Sequence, residues 1–467
     1  MPTIAEGESL ASIRAKLNTA FDDTETLKGS NYPIYADTAA MAAATLADGD
    51  RAQVGDLVFE RQSSDTTTLP NQPGFVPAAP KSTPHISHFG GVGDGVTDNT
   101  AVMEAIKAFC TASGEKVDFG SGGTYLIDPL RLEGSETLFL TGDPNNRPVL
   151  KLKPGPDGHV LNTATDSTAV FDLYGVCLDG NRGTRAAGHG LRSAGCNLVR
   201  LDQVRIQNCQ SYGLGIQNGT TQRVEIGYLE IDTTGKDAID IKDRDNDNGI
   251  FVFDHIRVLN HALDDADDAA LDARGPVYGR LLTVEMSGAA LGMRYRADGN
   301  GRAGFGSVQT VAVTGPGLGG GTTVACSFET SDPRSVVGEV IAQDVSTVLL
   351  QSGVGGRVGR ITGTGIYGGD GVSLRGRGFL LEGGHIIMNA AASFDEVLEI
   401  TASAQDATVR ALTIDDPTGG ENLITVEAGA TGSLIRECIL ISAGITGAGI
   451  TDAGTGTIID QNRIRTS

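Results

Sequence analysis

The chain is 467 residues long and carries 36 lysines and arginines against 58 aspartates and glutamates, a formal net charge of −22. That balance excludes nucleic acid or an anionic membrane surface as a general partner, since phosphate binding needs a basic face, and no apolar run approaches the roughly 18 residues of a membrane span. Sixty-five glycines, no tryptophan and 5% aromatic residues suit a coil of small turns around a narrow aliphatic core better than a globular enzyme with a wide one.

Residues 1–30 open with Leu10, Ile13, Leu17, Ala20, Thr24 and Leu27 at alternating steps of three and four, a short heptad seam that ends at Gly29-Ser30. The seam reads as a helix, either docked on its own chain or a partner, or self-associating as a coiled coil; at this length it is not stable alone. The first residues, Met1 to Glu6, lack the basic and apolar regions of a signal peptide, so no leader is expected. Residues 31–82 read as a small adapter unit and linker. Asp37 is placed to cap an Ala-rich helix over 38–45, two strands follow within 46–54 and 57–61, and the Ser-, Thr- and Pro-rich stretch from Ser63 to Pro84 is expected to be a linker or irregular strap. The six cysteines show no CxxC pairs and read as buried free thiols of a protein that folds in a reducing cytoplasm.

From residue 83 to 467 the pattern changes. His88 to Thr100 is glycine-rich, and Val102, Ile106 and Phe109 then form an apolar stripe on a helix expected over 101–112. A helix there can close the open end of a coil, with Asp98 or Thr97 as its N-cap and Asp94 also structural. Beyond it an apolar-x-apolar-x strand returns: Leu214-Gly215-Ile216-Gln217, Ile239-Asp240-Ile241-Lys242, Leu271-Asp272-Ala273-Arg274 and Leu291-Gly292-Met293-Arg294. The series continues through Val348, Val372, Leu398 and Ile424 at intervals of about 20 to 32 residues, the range of stacked repeats. A second series (Val204-Arg205-Ile206, Val224-Glu225-Ile226, Ile256-Arg257-Val258, Leu282-Thr283-Val284) supplies at least one more strand per rung. Several strands per rung without helical periodicity indicate an all-β chain, a right-handed parallel β-helix solenoid with an N-terminal helical cap at 86–128.

The segment His88 to Thr100, with the helix after it and the stretch Lys116 to Ile127, resembles the start of the pectate-lyase-like β-helix domain, and Leu178-Asp179-Gly180-Asn181 fits a turn such domains show. That domain occurs in bacteriophage tailspikes and in polysaccharide lyases, hydrolases and epimerases. The resemblance implies a tail fibre or tailspike receptor-binding protein that recognises, and in one version depolymerises, a host surface polysaccharide. It further implies a homotrimer, attachment to other phage tail proteins through the N-terminal region, a place in the virion tail and assembly in the host cytoplasm. A free polysaccharide lyase, glycoside hydrolase or epimerase, and a non-enzymatic adhesin, are the alternatives.

Stacking the first series rung on rung puts Gly215, Asp240, Asp272 and Gly292 in one outward column and Gln217, Lys242, Arg274 and Arg294 in the next, with Arg296 one step beyond. Asp240 and Asp272 are the expected catalytic pair, acid and base or nucleophile, and Lys242, Arg274, Arg294 and Arg296 the expected contacts to an anionic sugar polymer. A lyase would use Lys242 or Arg274 near the proton removed. Asp240, Asp272, Lys242, Arg274 and Arg294 are expected to be solvent-exposed, the two carboxylates within about 10 Å; the plain alternative is a solvated ladder of salt bridges. No cofactor is expected unless a Ca²⁺ sits at the acidic turns Asp243 to Gly249 and Asp264 to Asp268. Gly188-His189-Gly190 matches a tripeptide of polygalacturonases but precedes the aspartates, where that family places it after them.

Overall fold

The computed structural model describes residues 83–465, apart from 156, 166, 185, 218–220, 243–248, 298–303, 330, 369, 393–395, 420–421 and 443–448. Upstream it describes the backbone of four strands, Ile34–Tyr35, Arg51–Val54, Leu57–Arg61 and Phe75–Pro80, which form one sheet. The two expected strands pair antiparallel, and Phe75–Pro80 adds to Leu57–Arg61, so part of the stretch read as a linker is a strand. The heptad seam at 10–27 and the helix expected over 38–45 lie outside the described residues.

The rest is a parallel β-solenoid. A 13-stranded sheet holds one short strand from each turn, from Leu130–Leu132 to Ile450–Asp452, and a 23-stranded sheet holds the others. Parallel stacking satisfies each strand's N–H and C=O groups on the turns before and after, so the coil has free edges only at its two ends. Alternate apolar residues point inward. Leu214, Ile239, Leu271 and Ala273 are fully buried, and Ile216 and Ile241 are nearly so; burial of each large aliphatic side chain stabilises the coil by roughly 1.5–3 kcal/mol.

Register corrects two details of the pattern. Val204 stacks on Leu229 and Ile256, whereas Val224 stacks on Val199 and Phe251, so the second series mixes two columns of the large sheet. Arg223–Thr234 is one long strand that crosses both columns, which is why its two apolar runs look interchangeable in the sequence. Leu349, not Val348, stacks on Val372. That shift carries Gln351 to the level of Leu374, where it is fully buried and accepts from the Gly376 N–H at 3.0 Å.

The N-terminal end is closed by the helix Thr100–Ser113, which buries Val102, Met103, Ile106, Phe109 and Cys110. Asp94 is structural: Oδ1 accepts from the Val96 and Thr97 N–H groups at 2.8 and 2.7 Å. The N-cap is Asn99, not Asp98 or Thr97. Its fully buried amide turns back to accept from the Val92 N–H and donate to the Val92 and Thr97 carbonyls, pinning the glycine loop. Asp98 still accepts from the Thr100 N–H at 2.9 Å, and its bond to Lys153 holds its carboxyl down at about 2.

Candidate functional site

In the 13-stranded sheet one outward column runs Asn162, Arg192, Gly215, Asp240, Asp272, Arg294, Ser327. Asp240 and Asp272 are direct neighbours on adjacent turns, and Lys242 stacks on Gln217 as expected. Arg294 is not in the lysine column: Leu271 pairs with Met293, so Arg294 stacks on Asp272 and Gly292 leaves the aspartate column. The slip is two residues. It leaves Leu291, Met293 and Tyr295 on their alternating pattern, and therefore could not be seen in that pattern.

The second correction concerns exposure. Asp240 and Asp272 are fully buried and Arg294 is 4% exposed, although all three project outward. They are roofed by their neighbours. Lys242 lies on Asp240 Oδ2 at 2.5 Å and Gln217 Nε2 donates to the same oxygen at 2.9 Å. Asp272 sits in a cradle of three guanidinium groups: Arg274 Nη2 at 2.7 Å, Arg294 Nε at 3.2 Å and Arg296 Nη2 at 2.5 Å. Side chains stacked a strand spacing of about 4.8 Å apart are long enough to lie over the next turn and exclude water from the carboxylates beneath. Lys242, Arg274 and Arg296 keep 17, 13 and 28% of their side-chain surface and form the outer layer of the site.

Pattern reading missed Asp237. It lies in the turn before the strand Ile239–Lys242, is 1% exposed, and offers a carboxylate oxygen within 4.8 Å of those of Asp240 and Asp272. Its Oδ1 accepts from the Ala269 N–H at 2.6 Å. Asp237 Oδ2 and Asp240 Oδ1 have no hydrogen-bond partner among the described residues. Only its position, two residues ahead of an inward-facing isoleucine, marks Asp237 in the sequence, and many solvated turn aspartates share that mark. Burial pushes the Asp240 carboxyl up to about 6 against the pull of Lys242. Burial, then Asp272 and Asp240, pushes Asp237 well above the usual carboxylate range.

A line of rings leads to the cluster from the N-terminal side. His159 and His189 stack with centroids 4.4 Å apart, and His189 and Tyr212 at 4.9 Å. Burial holds both imidazoles neutral, at about 4 and about 3. The glycines around His189 are required by packing: a Cβ on Gly188, whose φ is +153°, would meet the Gly158 carbonyl oxygen at 2.1 Å, and one on Gly190 would meet Ile206 at the same distance. Lys242 Nζ also donates to the Tyr212 hydroxyl at 3.2 Å, so the lysine bridges rings and carboxylates.

Three carboxylates this close have the donor type of a divalent-cation site. They do not suit one here. Both oxygens of Asp272 are taken by arginines, and Lys242, Arg274, Arg294 and Arg296 already supply four positive charges to the three carboxyls. At the acidic turn 264–268, Asp264 is committed to Arg182 at 2.6 Å and to Gln210 at 3.0 Å. Asp243, Asp245 and Asp247 lie outside the described residues.

Residues 85–256 match the family model described as rhamnogalacturonase A/epimerase, pectate lyase-like. Several solved structures align with the chain. The Azotobacter vinelandii mannuronan C-5 epimerase AlgE6 A-module is 15% identical and aligns over 82% of this chain and 98% of that one with a TM-score of 0.45. Gene product 12 of bacteriophage phi29, in its pre-mature form, is 16% identical and aligns over 80% of this chain with a TM-score of 0.52; the match spans 56% of that chain. The enzymatically active domain of bacteriophage CBA120 tailspike protein 2 is 13% identical over 95% of this chain and 64% of that one, at a TM-score of 0.42. No curated protein matches the sequence.

Proposed function

We propose that the chain is a phage tail fibre or tailspike protein whose solenoid binds a host surface polysaccharide across the face around Asp240, with the N-terminal region attaching it to other tail proteins. The observation that carries the reading is the mid-coil cluster itself. Buried carboxyls with unpartnered oxygens are costly, and such arrangements are characteristic of sites kept for function. The outer layer of Lys242, Arg274 and Arg296 suits an anionic sugar, and the cluster beneath offers an acid near neutral pH. Within the pair first expected to be catalytic the roles separate: Asp240, with an available oxygen, is the acid or base, and Asp272 is the counter-ion that positions the arginines. The motif at residues 88–100 and the solenoid shared with a phage gene product support the tail assignment, and with it a homotrimer carried in the virion and assembled in the host cytoplasm.

A free polysaccharide lyase, hydrolase or epimerase is the second reading, favoured by the family-model match over 85–256. Incubating the purified chain with capsule and lipopolysaccharide from candidate hosts separates the readings. Shortened chains mean depolymerisation, and new unsaturated uronate identifies a lyase. Solvent deuterium at C-5 without shortening identifies an epimerase, and retention without chemical change an adhesin. No retention of any surface glycan would sink the proposal.

A further inference from the structure

The unpartnered oxygens of Asp237 and Asp240 have a chemical consequence. Among the described residues neither atom receives a hydrogen bond, although Asp237 is 1% exposed and Asp240 fully buried. Two anionic carboxylates in that position would repel each other in a water-poor space, with only one of them held by a close cation. Lys242 reaches Asp240 at 2.5 Å, whereas the nearest guanidinium to Asp237, that of Arg294, is 3.7 Å from the oxygen already bonded to Ala269. We propose that Asp237 is the third carboxyl of this site and that it and Asp240 hold a single proton between them, so that the site carries one acidic hydrogen for a saccharide oxygen that displaces the side chains over it.

The surrounding groups fit that assignment from every side. From the strand of Asp240 and the one before it come Lys242 and the neutral Gln217. From the preceding turns come Tyr212, which takes a hydrogen bond from Lys242, and the neutral His189 behind it. From the next strands come Arg274, Arg294 and Arg296, all bonded to Asp272; Arg274 Nη2 also lies 3.9 Å from Asp240 Oδ1 and Arg294 Nη2 3.7 Å from Asp237 Oδ1, with Glu329 3.7 Å from Arg294. From the turn before Ala269 comes Asp268, whose Oδ2 is also unpartnered, and Lys236 adjoins Asp237 in the chain. Among the described residues the guanidinium nearest Asp237 is that of Arg294, at 3.7 Å and shared with Asp272, and a shared proton relieves the remaining repulsion at no cost in packing. Two carboxyls sharing a site cannot both ionise easily, so one of them titrates high. With the proton in place the cluster holds two negative charges against four positive ones, and an anionic sugar is better attracted than above the titration.

The inference rests on the glycan-site reading for the proton's use, but its test does not. Infrared spectra of the full chain with carboxyl-labelled aspartate, recorded from about pH 5 to about pH 8, report a protonated carboxylic acid directly. Burial also raises Asp268, to about 6, so the wild type should show one labelled band that persists above that value, and both Asp237→Asn and Asp240→Asn should lose it. A band that survives in either variant overturns the sharing, as does its absence from the wild type. Asp237→Asn keeps an oxygen for the Ala269 N–H, and relief of the repulsion should raise its Tm by about 2 °C or more above pH 6; a lower Tm there would make Asp237 structural. If the band behaves as expected but no glycan is retained, the proton assignment stands and the function proposed above does not.

Discussion

Asp272 holds three arginines and Asp240 holds one lysine, so their removal should have unequal effects. Asp272→Asn leaves three guanidinium groups without their shared counter-ion, and breaking a buried ion network in this way costs about 3–5 kcal/mol; urea midpoints should fall accordingly. Asp240→Asn retains an acceptor for Gln217 and Lys242 and should cost well under half of that, while abolishing any depolymerisation. Equal destabilisation by the two changes would contradict the separation of roles. The pH dependence follows from the direction of the shifts. Asp240 is raised, to about 6, so the folded state binds its proton more tightly than the unfolded chain. Its contribution is most favourable below the unfolded value near 4 and is lost as pH rises through about 6. Asp98, lowered to about 2, has the opposite sign: its contribution is present above the unfolded value and is lost as pH falls towards 2. Comparing wild type with Asp240→Asn by urea melts between about pH 4 and pH 7 isolates the first window.

At the level of elements, the cap and the rungs are held by different means. The glycine loop before the helix Thr100–Ser113 depends on the buried Asn99 amide, which makes three hydrogen bonds to backbone. Asn99→Ala strands those groups and should cost about 2–3 kcal/mol, seen as earlier loss of amide protection in residues 86–113 than in the mid-coil rungs. The strands themselves were legible because every second residue is apolar. The fault in placing Arg294 came from the same source: a period-2 pattern defines which face a residue takes but not which residue of the next turn it meets. Asp237 was invisible for a related reason. It lies in a turn, where no period applies, and only the fold back of the chain carries it to within 4.8 Å of Asp240 and Asp272.

Across the whole molecule, function is expected to be unevenly distributed along the axis. Among the described residues the C-terminal turns continue the outward column as Ser373, Glu399, Thr425 and Thr451, with no alternation of buried acid and arginine. Glu427 accepts from the Ala402 N–H at 2.7 Å, a bond that glutamine keeps, so Glu427→Gln should leave glycan retention unchanged. Arg296→Ala removes the most exposed cation of the mid-coil site and should weaken retention about tenfold or more, the size of one charge-assisted hydrogen bond. Equal effects of the two changes in a glycan-retention assay would place binding elsewhere. Cyclic symmetry closes most homo-oligomers, and a trimer is the expected mass by light scattering; a monomer unaffected by tail proteins would contradict it.

The amino-acid sequence by itself determined the solenoid, the helical cap and the shared face of Asp240 and Asp272, because each depends on the local alternation of apolar and polar residues, and that alternation dictates which side of a strand is buried. The tertiary structure alone decided what that face is like. Whether a carboxylate that points outward is wet or dry depends on the reach of side chains on its own strand and one turn away, and here Lys242, Gln217 and three arginines close over the pair. The position of Arg294 beside Asp272, the arrival of Asp237 and the unpartnered oxygens of Asp237 and Asp240 all arise from contacts between residues more than twenty positions apart or in turns. Such contacts exist only once the coil has closed on itself.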